Sequence, residues 1–584
     1  MRYRISVSAV IGLCLCVCPA SAQDAPPDKQ APEEGLRRML VDPQEQRTQF
    51  PRVDAPDVIL RESKRPNERY DPNRPAQRQR LQDLDPRKSY YGNGTPPFPH
   101  PPHRIRLDGD FDPDRNLDLL AREILRFQGA ERRPLTVVWL FDQTRSMLDD
   151  RPIVRWKLQR ILREIEREEN EIQEAFKRME PRPKEITKEA LQISHLVIGF
   201  GKSSRLVTLV PTRNLEAVED AFESLAVDES GIENTFHAIA KAIREARQTV
   251  AETTRLLLVV VTDESGNDDE FLEDALDTAI KKLVPVYVIG RQALFGTTLA
   301  RLGSPPDDAR LPTIRRGPES ADIEVLAWDG LQPRDDEQPA GFAPYGLARL
   351  ALHTGGIYLM LPSEEAQRVR QREKAYSIVS LRGYEPEYTT REAYLARRES
   401  SPLRRALFDT IQATRDFSLP LRFPYEPRPL VESLRDAADK AERQWAQLIP
   451  IEAKLRALRD DRAVEPSKRW QAHYDLMLAQ VVAFQITRRE YRAAIVALRR
   501  TASGAIDGAP EIWDLTHGRE CQAPKESTEA SYREAERLLK LVIERHPYSP
   551  WADLAQTIRE RGLSVKWHAS RLKDAPPRVT GSHY

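Results

Sequence analysis

Leu135-Thr-Val-Val-Trp-Leu-Phe-Asp142-Gln-Thr144-Arg-Ser146-Met147 decides the reading of this chain. Its first seven residues favour β-structure and are apolar at nearly every position, so the strand they form is buried on both faces. An acidic residue stands where the strand ends, and hydroxyls follow at alternate positions of the turn. Alternate side chains of an extended turn point the same way, so one carboxylate and two hydroxyls converge there.

Further runs of the same kind lie downstream: Leu256–Val261, Val284–Ile289 and, more weakly, Leu196–Phe200 and Gly356–Leu361. Between them the spacing predicts helices over Val154–Met179, Asn214–Leu225, Asn234–Val250, Glu270–Lys282 and Tyr345–Thr354. Strand and helix in alternation predict an α/β fold, a doubly wound, mostly parallel sheet of the Rossmann-like kind, over residues 131–363. The first helix carries the acidic stretch Glu164–Glu171 beyond its apolar start and is expected to project past the sheet. Residues from about 292 to 344, rich in proline and acid and without period, read as an insertion before the last helix.

Outside this region the composition changes. Arg2 and Arg4 precede an apolar stretch, Ile5–Val17, and Ala20-Ser-Ala22 offers small residues at a cleavage site, so residues 1–22 are expected to be a secretory signal. The alternatives are an uncleaved anchor and a lipoprotein at Cys18, the latter disfavoured by the residues before it. Residues 23–130, Pro-rich over much of their length (as in Gly94–Pro102), are expected to form a mostly disordered spacer. After Pro362 the chain turns helical, and an all-α C-terminal region is expected: a connector over 364–425 with helices Ser363–Ser377 and Arg391–Thr414, then 428–572 with helices Leu430–Leu458, Ser467–Arg500, Ser527–Arg545 and Pro550–Gly562. A Gly- and Pro-bearing loop holds Cys521, and residues 573–584 read as a disordered tail.

The chain has 584 residues, with 90 basic and 90 acidic side chains. That balance gives no support to nucleic-acid binding, which needs a net basic surface. Three of the four cysteines fall in the signal, which excludes an intrachain disulfide and a cysteine-built zinc site in the mature chain. No later apolar run is long enough to cross a membrane, so a secreted or periplasmic protein with no transmembrane segment after signal cleavage is expected. There is no His-Glu-x-x-His, Gly-x-Ser-x-Gly or Gly-x-x-x-x-Gly-Lys, and no catalytic residue is assigned. For a metal-dependent enzyme, His237 is the nearest candidate base.

The second strand of interest ends Val261-Thr262-Asp263-Glu264. In a parallel sheet both strand ends open on one edge, which puts Asp142 and Asp263 close together as a hard-oxygen site for Mg²⁺, with Mn²⁺ or Ca²⁺ as alternatives. Asp-x-Thr-x-Ser at Asp142, Thr144 and Ser146, Thr-Asp at Asp263, and Thr354-Gly-Gly356 after a helix together resemble the metal-ion-dependent adhesion site of von Willebrand factor A domains. The resemblance covers about Pro134–Pro362. It implies metal-dependent protein binding through a partner's acidic side chain, not catalysis, and a shift of the last helix, here Ser363–Ser377, on occupancy.

The third loop of that family reads Gly-x-Thr-x-Thr. Here it is Gly231-Ile232-Glu233-Asn234-Thr235, so the ligand position falls on Glu233 and the second threonine on Thr235. Either Glu233 joins the site, making three carboxylates, or it faces solvent and Thr235 supplies a hydroxyl. The bland alternative for Asp142 and Asp263 is helix capping. Asp268 and Asp269 read as a solvated loop. Ala535–Ala555 resembles the helix pair of a tetratricopeptide-like repeat, within 525–565, as one unit and not an array. The leading expectation is an extracytoplasmic interaction or adhesion module. The alternative is a cell-envelope scaffold in which the metal site only stabilises the fold or is vestigial.

Overall fold

The computed structural model describes residues 120–128, 133–177, 192–301, 313–360, 376–502, 512–520 and 525–570, apart from scattered single positions. The expected signal, most of the spacer, the expected helix Ser363–Ser377 apart from Tyr376, Cys521 and the tail lie outside the described residues.

Strand β1 (Leu135–Asp142) is buried along its whole length. Leu135, Val137, Trp139 and Phe141 enter one apolar cluster and Val138 and Leu140 another, so both faces are covered. The chain continues through α1 (Arg151–Lys177), β2 (Ile193–Phe200), β3 (Arg205–Leu206), α2 (Leu215–Glu223), α3 (Thr235–Thr249), β4 (Arg255–Val261), α4 (Leu272–Lys281) and β5 (Val286–Gly290). After a hairpin, β6 (Leu299–Arg301) and β7 (Thr313–Arg315), come α5 (Tyr345–His353) and β8 (Tyr358–Met360). The main sheet has the order β3-β2-β1-β4-β5-β8, parallel except for the antiparallel edge strand β3. Leu158 and Val218 place α1 and α2 over one face, and Phe236, Ala275 and Leu347 place α3, α4 and α5 over the other. The fold is the doubly wound α/β arrangement expected from the alternating runs.

Local chemistry sets the boundaries. The Asn214 side chain accepts from Glu216 N and Ala217 N and starts α2. After α5, the Thr354 hydroxyl accepts from Val286 N at 2.9 Å, and Gly355 turns the chain at φ 71°. A Cβ at Gly356 would lie 1.9 Å from Val286 O, so only glycine lets this backbone reach β5. Within the acidic stretch of α1, Glu169 is buried and meets Arg213 at 2.7 Å, so the helix keeps cover there.

The insertion, though without period in sequence, packs into the core. Val325, Leu326, Trp328, Leu331 and Phe342 are all buried. Trp328 packs against Phe417 and Phe484 and under the Arg488 guanidinium, so partners far along the chain bury it. Glu319 and Glu324 each meet Arg469 at 2.6 Å, and His473 Nε2 lies 3.0 Å from Glu324. Burial pushes the Glu324 carboxyl up, but Arg469 and His473 outweigh it and hold it at about 2.

The C-terminal region is helical, with α6 (Arg391–Ser400), α7 (Pro402–Thr414), α8 (Pro427–Ala457), α9 (Lys468–Ala502), α10 (Lys525–Arg545) and α11 (Pro550–Arg561), and two short helices, Ile378–Leu381 and Arg459–Val464. Two details depart from the expectation. The helix read over Arg391–Thr414 is broken at Ser401-Pro402, where proline lacks the N–H a continuous helix needs and Ser401 caps the second helix. The region is also not purely α. Strands β9 (Arg422–Pro424), β10 (Ile512–Gly518) and β11 (Ser564–Ser570) form an antiparallel sheet in the order β11-β10-β9. The α10–α11 pair occupies the connection between β10 and β11. Among the described residues no helix is long and apolar enough to cross a membrane.

Candidate metal centre

Three segments meet at the carboxyl edge of the sheet. Asp142 ends β1. Its Oδ1 accepts from Thr144 N at 2.8 Å and from the Thr144 hydroxyl at 2.6 Å, and its Oδ2 accepts from the Thr262 hydroxyl at 2.7 Å. The Ser146 hydroxyl lies 3.0 Å from that of Thr144 and donates to Asp263 Oδ1 at 3.0 Å. The β1 and β4 ends, remote in sequence, are thus joined as the parallel topology requires. Arg151 holds the β1 turn by donating to the carbonyls of Gln143, Leu225 and Ala226.

Glu233 comes from the loop before α3. The alternative in which it faces solvent does not hold, since the residue is 2% exposed. The reason is a reciprocal clamp: Glu233 N donates to Asn267 Oδ1 and Asn267 N to Glu233 O, both at 2.8 Å. This docks the Gly231–Glu233 loop against the loop after β4. Carboxylate oxygens of Asp142, Glu233 and Asp263 lie within 4.8 Å of one another, and all three residues are buried.

Thr235 is the first residue of α3 and is fully buried. Asp268, expected in a solvated loop, is buried instead. It caps α3, accepting from Phe236 N at 3.1 Å and His237 N at 2.8 Å. Asp269 is half-buried, 3.7 Å from Arg315. His237 is exposed and stands edge-on to Phe271.

The electrostatics are unfavourable without a cation. Burial, then the charges of Asp142, Glu264 and Asp263, pushes the Glu233 carboxyl well above the usual range. Burial, then Asp142 and Glu264, does the same to Asp263. Burial also raises Asp142 against the hydrogen bonds from Thr144 and Thr262. Glu264, to which sequence reasoning assigned no role, is a fourth acid of this neighbourhood. Burial pushes it up to about 7, although its Oε2 accepts from Arg315 N at 2.9 Å. Among the described residues, Glu233 Oε2, Asp263 Oδ2 and the Thr235 hydroxyl are buried without a hydrogen-bond partner. Buried polar atoms rarely stay unpaired, and this donor set of hard oxygens fits a divalent ion.

Neither a family model nor a curated protein sequence matches the chain. Solved structures similar to part of it include the conserved hypothetical protein BatB from Bacteroides thetaiotaomicron, 17% identical, covering 41% of this chain and 96% of that one with a TM-score of 0.23. An aerotolerance-related membrane protein from Bacteroides fragilis is 14% identical, covering 42% and 98% with a TM-score of 0.22. Proximal thread matrix protein 1 of the mussel byssus, in a form with a zinc-occupied MIDAS motif, is 14% identical, covering 28% and 36% with a TM-score of 0.18. Likeness at this level carries no chemistry from those proteins to this one.

Proposed function

We propose that this chain is an extracytoplasmic interaction protein that binds a divalent cation at the carboxyl edge of its α/β sheet and engages partner proteins at or beside it. One observation carries the reading: three buried carboxylates from three segments crowd within 4.8 Å, with oxygens of two of them unpartnered. A divalent ion is the simplest group that satisfies them together. Thr144, Ser146 and Thr235 are the hydroxyls at hand. The rim suits protein contact, because Leu148, Val227 and Ile232 are exposed apolar residues on the loops that carry Ser146 and Glu233. With three carboxylates the ion is well neutralised from within, so the rim contributes more to partner binding than an open coordination position does. The extracytoplasmic setting rests on the signal-like N-terminus. We take the site to bind and not to catalyse, in line with the metal-dependent protein binding that the von Willebrand factor A resemblance implies.

The burial of all three carboxylates favours a second reading, a scaffold in which the cation only stabilises the fold. Calorimetric titration of the mature chain with Mg²⁺, Mn²⁺ and Ca²⁺ tests the site itself, and no uptake of any of them refutes it. The double variant Asp142→Ala, Asp263→Ala then separates the readings. Lost partner capture at an unchanged melting temperature supports the interaction module. A large melting shift with capture retained supports the scaffold.

A further inference from the structure

The insertion touches the carboxylate cluster at one end and the helical region at the other. At the cluster, Ser265 N donates to Arg315 O at 2.7 Å and Arg315 N donates to Glu264 Oε2 at 2.9 Å. The next residue, Arg316, is buried, with Asp263 and Glu264 in the field of its positive charge. Three residues further on, Glu319 is locked to the fully buried Arg469 of α9, and Glu324 is held by Arg469, His473 and the Tyr394 hydroxyl. Three residues span at most about 10 Å, so there is little slack between the two anchorages. Both ends are held by short polar contacts, which weaken steeply when distorted, so the strap is either docked or released.

We propose that residues 313–324 act as a strap coupling cation occupancy at the sheet edge to the packing of α9. This rests on the cation reading above. The physical basis is the changing charge of the cluster. Without a cation, the carboxylates attract Arg316 and draw the strap onto the site. A bound divalent ion, even after displacing the proton the cluster keeps, leaves it less negative, weakens that attraction and sets a like charge near the guanidinium. Occupancy and the drawn-down strap therefore oppose one another, and the coupling must be reciprocal: loosening the far anchorage favours the ion.

The test is the Mn²⁺ affinity of the mature chain and of its Glu319→Gln and Arg316→Gln variants, by calorimetry. Glu319→Gln removes a negative charge, so direct electrostatics predicts weaker cation binding. The strap predicts the opposite, tighter binding by about fivefold, the lower end of ordinary coupling between sites. Arg316→Gln should tighten binding at least as much. Amide exchange of wild-type α9 around Arg469, with and without Mn²⁺, supplies a measurement that needs no variant, and faster exchange on Mn²⁺ addition is expected. Wild-type uptake with an unchanged or weakened Glu319→Gln affinity overturns the strap while leaving the site standing, as does α9 exchange indifferent to Mn²⁺. Absence of uptake by the wild type removes both.

Discussion

Replacing Glu233 by glutamine should make the cation-free protein more stable while abolishing its response to divalent ions. Two ionised groups 4.8 Å apart repel by about 3.5 kcal/mol at an effective dielectric of about 20. Glu233 faces two such neighbours, so full ionisation of the triad adds about 7 kcal/mol through this residue alone. The protein escapes part of that by keeping a proton. At pH about 7, holding a carboxyl of ordinary value 4.5 protonated costs roughly 3 kcal/mol, at about 1.4 per unit. The smaller figure governs, and Arg291 and Arg316 near Asp263 reduce it further. A gain of about 1–3 kcal/mol follows, or about 1–3 °C in melting temperature for a chain of this size. The assay is thermal unfolding in chelator and again at saturating Mn²⁺, for wild type and Glu233→Gln side by side. The wild type should gain on Mn²⁺ addition and the variant should not. A variant less stable than wild type in chelator would refute the reasoning, since Glu233 would then be making a favourable ionised contact.

Proton competition gives the pH dependence. The folded-state values of Asp142, Glu233, Asp263 and Glu264 are raised, so the cation-free fold holds extra protons from the ordinary carboxylate range through about 7, where Glu264 sits. A cation must displace them, and the Mn²⁺-induced rise in melting temperature should grow as pH increases across that window; a rise that shrinks would count against the site. Gly356→Ala should cost about 2–3 kcal/mol, read from the urea midpoint, because its Cβ meets the Val286 carbonyl. Arg469→Met should cost about 3–5 kcal/mol by leaving Glu319 and Glu324 buried without their cation, and adding Glu319→Gln and Glu324→Gln should recover most of it.

The strands were legible because β1 and β4 are apolar on both faces, as a strand is when helices cover each side of its sheet. Asp142, Thr144, Ser146 and Asp263 followed from topology, since parallel strands open on one edge. The orientation of Glu233 was not legible. Alignment on Gly231 fixes its place in the loop, but the clamp with Asn267 turns it inward, and that contact joins residues 34 apart. Asp268 looked solvated for the same reason: the helix it caps begins 33 residues earlier. The insertion hid its structure because its few large apolar residues are buried by remote helices and not by a periodic face of their own. Strands β10 and β11 escaped notice because each is partly polar, with its partner beyond a helix pair.

Trp328 and its neighbours bear on how this polypeptide can be divided. One continuous apolar cluster runs from Val138 and Phe236 under the sheet, through Trp328 and Phe342, to Leu407, Leu478 and Trp551 of the C-terminal helices. Severing the chain after β8 would strip an indole and several rings of their cover and present them to water. The α/β half is therefore no detachable cassette: excised, it should aggregate or melt early, and both halves should unfold in a single transition.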